Sequence, residues 1–302
     1  MELQILDRKR VFLLLFLISQ IVVLFGQSPK DTSWHNKGFD FHIASGVYFG
    51  NKYNAAYYNG SAENENNIFY VLNNKYWYDE IFLLMVNKYP YISDSIFLVT
   101  LPQNMKYSPA LSISLGFRYK YSKNWGFSFN YTFVRLRSTD VFTMDYDGPP
   151  SNTQSARPFI EHLVATERRS LLELSASYLS HPHEILKPFI ELGVQLNFTD
   201  VRNFFALFEE TAQYTLLDKY NGVNWVPGMQ IQEYNTRWGG VGYGFFTAVG
   251  LKIVFNKYLS IDPLFYLSAS SINLTGYKDI KLNWGVYFRI VMSDMIFMKN
   301  SR

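Results

Sequence analysis

The 302 residues contain no cysteine. That excludes a disulfide framework, a thiol nucleophile and any cysteine-ligated metal, and it leaves the compartment open. Charge is sparse as well: Asp, Glu, Lys and Arg make up 18% of the chain, against roughly 25% in soluble domains. The formal net charge is only +3. No Lys/Arg-rich run occurs beyond the amino terminus, so nucleic acid is not expected as a partner. Past residue 27 no apolar run approaches the roughly 18 residues that a membrane helix needs.

Aromatic residues are abundant instead: 26 Phe, 23 Tyr and 6 Trp, or 18% of the chain. An apolar outer band edged by aromatic belts would use such a composition. The first residues stand apart. Arg8, Lys9 and Arg10 precede an apolar stretch from Val11 to Phe25, and Gly26 is a small residue at a plausible cleavage point. Residues 1–26 therefore read as a secretory signal peptide. Leu24 is large for its place before the cleavage point, which keeps an uncleaved anchor as the alternative. The absence of cysteine after the stretch excludes a lipoprotein anchor.

The mature chain alternates. In ALSISLGFRYKY, Leu111, Ile113, Leu115, Phe117, Tyr119 and Tyr121 occupy one parity, with Ala110, Ser112, Ser114, Gly116, Arg118 and Lys120 on the other. A period of two places these sets on opposite faces of a strand. The pattern recurs in FDFHIASGVYF, WGFSFNYTF, LLELSASYL, FIELGVQLNF, YGFFTAVGLKIVF, YLSIDPLFYLSA and IKLNWGVYFRI, eight segments in all. Each has about the ten residues that a tilted strand needs to cross a bilayer. Long connections at 50–109, 138–169 and 199–242 alternate with short turns such as Ser122–Asn124, as when outer loops are long and periplasmic turns short.

These features predict an all-β chain folded as a transmembrane antiparallel up-and-down barrel. Eight strands are expected between residues 39 and 297, after a periplasmic segment at 27–38 and before a tail at 298–302. Ten strands are possible if NIFYVL and SIFLVTL form an extra hairpin. The polar parity carries Arg118, Lys120, Glu173, Glu191, Lys252, Asp262, Lys281 and Arg289. An eight-strand interior is filled by its own side chains, so these charges are expected to pair across strands. Pro263 lies inside the seventh segment and demands a bulge or a lost ladder bond, because a closed barrel has no free edge.

With this pattern and loop rhythm, the chain resembles the small outer-membrane β-barrels of Gram-negative bacteria, the OmpA-membrane-domain and OmpX-like group. The resemblance implies a bacterial outer-membrane location, insertion by the barrel-assembly machinery, contact with outer-membrane lipid and lipopolysaccharide, and a non-enzymatic role in structure, binding or complex assembly through the extracellular loops. The chain departs from that group in its longer first loop. It also departs at its end, where Phe297 is followed by five more residues rather than closing the chain.

Several residues invite a sharper reading. Arg135 and Arg137 continue the lipid-facing parity just past the apolar band, where guanidiniums can pair bidentately with lipid phosphates or simply snorkel to the rim. Tyr119, Tyr121 and Trp125 flank a periplasmic turn as an aromatic girdle. His181, His183 and Glu184 lack a metal-ligand spacing and read as a solvated turn. His42, beside Asp40 on the lumen parity, reads as a satisfied interior histidine; a Ser/His lipid-modifying enzyme is the alternative. No cofactor is expected, and a narrow pore is a further alternative. Two loop stretches are dense in apolar residues and predict short helices that cap the barrel or present a binding surface: YWYDEIFLLMVNKY, from Tyr76, and FFALFEETAQYTLLDKY, from Phe204.

Overall fold

The computed structural model describes residues 38–89, 92, 95–147, 158–180, 186–220, 225–228, 238–256 and 258–293. Residues 1–26, expected to be a signal peptide, the residues around His181–Glu184 and the chain end with Phe297 lie outside them. Eight strands close on themselves: β1 (Gly38–Phe49), β3 (Ala110–Lys120), β4 (Trp125–Asp147), β5 (Phe159–Leu179), β6 (Leu186–Phe208), β8 (Gly239–Val254), β9 (Leu259–Ser270) and β10 (Lys281–Ser293). Around the ring they run β4-β3-β1-β10-β9-β8-β6-β5, and β5 returns to β4. All these pairings are antiparallel, and closure leaves no edge in the ring.

These are the eight alternating segments, each in the expected orientation. Leu111, Ile113, Leu115 and Phe117 are exposed on the outside, whereas Ser112, Ser114 and Arg118 are buried within. Apolar residues outside and polar ones inside are what a bilayer selects around a backbone paired from strand to strand in a closed ring. Pro263 keeps the register: Gly250 pairs Leu264 and Ile253 pairs Ile261, with the β8–β9 ladder interrupted between. A ladder bond is lost there, and no bulge forms.

Three strands are far longer than the sequence pattern indicated. β4 runs for 23 residues, β5 for 21 and β6 for 23. The loops expected at 138–169 and 199–242 are therefore corrected: Ser138–Asp147, Phe159–Arg169 and Thr199–Phe208 are strand. Two short strands flank this extension. β2 (Ser95–Thr100) pairs the top of β4, and β7 (Ala212–Thr215) pairs the top of β6. The result is a half-cylinder standing above one side of the ring, which itself stays eight-stranded. Of the alternative extra hairpin, SIFLVT became β2 while FYVL became helix.

Residues of the first long loop fill this half-cylinder. They form α1 (Lys52–Ala55), a 3-10 turn (Ala56–Tyr58), α2 (Phe69–Leu72) and α3 (Lys75–Lys88). The helix expected at Tyr76 is thus present. Asn74 caps α3 by accepting from the backbone N–H groups of Tyr76 and Trp77, a usual helix start. Trp77, Ile81 and Met85 are buried and, spaced four apart, share one face. They join Tyr57, Tyr58, Ile68 and Val71 against Phe142, Met144, Phe204 and Phe208 from the strands. The Tyr78 hydroxyl bonds both the N–H and the carbonyl of Ile96, each at 3.0 Å, which blunts the outer edge of β2.

The helix expected from Phe204 is not formed. Phe204, Ala206 and Phe208 are buried at a period of two, and the chain turns back into β7 at Glu209 and Glu210, whose φ angles are 49° and 58°. Apolar residues four apart satisfy both periods, so the spacing of Phe204 and Phe208 did not discriminate strand from helix.

Candidate functional site

Along β4 the side chains change partners at a fixed level. Phe127, Tyr131 and Phe133 point outward and Ser128, Asn130 and Thr132 inward; above them Arg135 and Arg137 point outward while Val134, Leu136, Phe142 and Met144 are buried within. The same reversal occurs on β6, where outward Leu196 and Phe198 give way to Asp200 and Arg202, and inward Asn197 and Thr199 to Val201 and Phe204. The two reversals lie in register, because Phe133 faces Ser170 and Ser170 faces Phe198. Below this level the wall is greasy outside and polar inside. Above it the wall is mainly polar outside and mainly apolar inside, the arrangement water requires, with Val141 and Ile160 exposed and Glu161, Glu167 and Arg169 buried as exceptions.

Inside the lower part, the expected charges form a network. Glu191, fully buried, accepts from Arg289 at 2.6 and 3.1 Å and from Arg118. Arg118 also lies 3.8 Å from Asp262. Lys120 pairs with Asp40 at 2.9 Å, and Lys252 approaches the same carboxylate at 3.8 Å. Glu173 accepts from Tyr266 at 2.6 Å and from Thr132 at 3.3 Å. Lys281 is the exception: it sits at the outer rim, one third exposed, bound to Asp279 at 3.2 Å with its ammonium over the Tyr53 ring. It is in the polar parity but above the network, so its place in the lumen is corrected.

His42 is buried and lies 2.6 Å from Asn130 Oδ1. Among the described residues it makes no hydrogen bond with a serine or an acid, so the Ser–His–acid geometry of the enzymatic alternative is not assembled there. Beside Glu173, Arg289 and Tyr287 the lumen leaves a void of ≈ 20 Å³, room for about one water. Of the residues expected as a girdle, Tyr121 and Trp125 are exposed, and the Tyr119 ring lies tilted against Phe39 at 5.0 Å. Tyr178, which the pattern placed only on the lipid face, joins Trp125 at 5.1 Å.

A second charged group was missed. Glu167 and Arg169, adjacent inward positions on β5, are fully buried and paired with each other. Glu167 accepts hydroxyls from Tyr58 at 2.7 Å and Tyr107 at 2.6 Å. Burial, reinforced by the Glu167 charge, holds both phenols well above their ordinary range, so they act as neutral donors. This cluster joins the first loop to the top of the polar lumen. It lay in a stretch read as loop, and its only sequence signal was the parity of Glu167, Arg169 and Glu173.

The expected rim arginines stand where the parity placed them. Arg135 and Arg137 are exposed on the outer face, immediately above Phe133, and make no ion pair among the described residues. The fold brings two further arginines beside them. Arg168 on β5 lies directly across from Arg135, and Arg202 follows at the β5–β6 irregularity. Both reach one carboxylate, Asp200, at 3.6 and 2.8 Å.

No family model matches the chain, and no curated protein matches it. Among solved structures it is similar to Neisserial surface protein A, with 8% identity, a TM-score of 0.40 and coverage of 84% of this chain and 95% of that one. It is also similar to the outer membrane protein OprG from Pseudomonas aeruginosa, with 12% identity, a TM-score of 0.32 and coverage of 85% and 95%. A third is Ail, the attachment invasion locus protein of Yersinia pestis, solved with the heparin analogue sucrose octasulfate, with 8% identity, a TM-score of 0.33 and coverage of 86% and 99%.

Proposed function

We propose that the chain is an integral outer-membrane barrel of non-enzymatic role, which holds a folded dome outside the cell for binding or complex assembly. The observation that carries this reading is the reversal of side-chain polarity at Phe133 and Phe198 on a closed ring. A soluble barrel would bury its apolar face throughout; only a wall passing from lipid into water needs the switch. The dome is a packed body anchored through Tyr58, Tyr107 and Glu167. Its rim offers a cleft of ≈ 530 Å³ lined by Lys88, Tyr89, Phe159, Glu161, Glu209 and Glu210. An outer-membrane route implies insertion by the barrel-assembly machinery, and the rim arginines would meet lipid and lipopolysaccharide head groups.

The test is electrophoresis of protein extracted from an outer-membrane fraction, with and without boiling. The expected result is a folded band that migrates apart from the boiled chain and stays in the membrane pellet through a urea wash. A band that does not shift, from protein released by urea, would return the chain to a secreted soluble β-protein.

A further inference from the structure

The four outward arginines form one cluster, and its layout calls for an anion. Arg135 and Arg168 are cross-strand neighbours, so their Cβ atoms lie about 5 Å apart and like charges there repel. Asp200 is shared between Arg168 and Arg202. Among the described residues no acid is given to Arg135 or Arg137. Four guanidiniums therefore face one carboxylate, on a solvent-facing wall, at the level where the apolar band ends. The Arg168 guanidinium lies 5.9 Å from the Phe133 ring centroid, which ties the cluster to the top of that band.

We infer that this face of β4, β5 and β6 binds the phosphorylated saccharide head group of an outer-leaflet glycolipid. The inference rests on the outer-membrane reading above. Planar guanidinium forks match phosphate oxygens in pairs, and a phosphate set between Arg135 and Arg168 removes their repulsion. The next row outward is Arg137 and Asn203, both exposed, on either side of the buried Thr166. The Asn203 carboxamide there donates and accepts hydrogen bonds and the Arg137 guanidinium donates them, which suits a sugar ring above the phosphate. The acyl chains of the same lipid would lie along Phe133, Leu196 and Phe198 below. β10 is diametrically opposite β5 in the ring order, so the site marks one side of the barrel and orders lipid there.

The test uses the full folded protein in detergent, titrated with lipopolysaccharide, dephosphorylated lipopolysaccharide, phosphatidylglycerol and inorganic phosphate. Binding is read by the shift in the thermal unfolding midpoint. Lipopolysaccharide should raise the midpoint, and removing its phosphates should weaken binding about tenfold or more, the scale of one or two charge-assisted contacts. Arg135→Gln with Arg168→Gln should lose as much, whereas Lys278→Gln, in the β9–β10 connection, should lose nothing. Arg135→Lys with Arg168→Lys keeps the charge without the fork and should fall between. Should the glutamine pair fail to fold, Arg202→Gln replaces it, with a smaller loss expected.

Equal binding by the glutamine pair and the parent protein would overturn the site. Equal effects of phosphatidylglycerol would overturn the saccharide, and equal effects of inorganic phosphate would overturn the lipid. A parent protein that is not heat-modifiable and stays out of membranes would instead remove the outer-membrane reading. Insertion without discrimination among the lipids would remove only this site.

Discussion

The lower barrel and the dome share strands β4, β5 and β6 yet are held together by opposite faces. In the lower part the interior is a charge network centred on Glu191, and the apolar residues look outward. In the dome the interior is an aromatic and aliphatic core around Trp77, Ile81, Phe204 and Phe208, and most charges look outward, Glu161 and the Glu167–Arg169 pair being buried exceptions. The strand geometry is continuous across the boundary, with neither backbone nor alternation interrupted on β4. Burial is therefore not a property of a strand face. It depends on which solvent lies beyond the wall and on what the rest of the chain places inside it.

The largest break in this comparison should come from Glu191→Gln. Arg118 and Arg289 would keep their burial and lose their shared countercharge, which costs about 3–5 kcal/mol when a buried pair is broken. Denaturant unfolding followed by tryptophan fluorescence should show the loss across the whole barrel. A cost below about 1 kcal/mol, no more than an exposed ion pair is worth, would mean that the lumen is wetter than its packing implies.

A matched pair of outward substitutions sharpens the boundary. Leu115 and Val141 are 53% and 40% exposed, but one faces the middle of the apolar band and the other the water above it. Leu115→Arg should cost about 2–4 kcal/mol, as for an arginine on the lipid face near the midplane. Val141→Arg should fall within about 0.5 kcal/mol of neutral, as surface changes do. Equal costs, measured by refolding into lipid vesicles, would erase the distinction between the two regions.

The smallest and most local effect is on the dome rim. Glu161, buried on the inner face of β5 above the reversal, accepts the backbone N–H of Glu209 at 2.9 Å. Burial pushes its carboxyl from the ordinary 4.5 up to about 7, with the charges of Glu209 and Glu210 adding to the rise. The folded state then binds this proton more tightly than the unfolded chain does. The β6–β7 turn should accordingly lose stability as pH rises from about 4.5 to about 7, on the order of 2 kcal/mol. Hydrogen exchange at Glu209–Thr215 should quicken across that window, and Glu161→Gln should flatten the response. An unchanged pH profile in the variant would assign the effect elsewhere.

The reading of β4 shows where sequence stopped short. The apolar parity slips from Phe133 to Val134, and a loop is expected from residue 138. The strand instead continues, and the slip marks the level at which inside and outside exchange roles. The missed Arg168 and Arg202 follow from the same misreading, since each fell within a stretch assigned to loop. Arg135 and Arg137 were found because they directly followed a complete apolar run.

By itself the sequence determined the ring: eight alternating segments, their inward charges and their lipid-facing band. These depend only on a local period of two, which about six residues of a strand already display. Tertiary structure alone decided the dome and the arginine cluster. Loop-one helices had to pack from another part of the chain before Phe142 and Phe204 could be interior. Register across β4, β5 and β6 had to be set before four arginines from three strands could meet. Both depend on contacts between residues far apart in sequence, which local alternation does not encode.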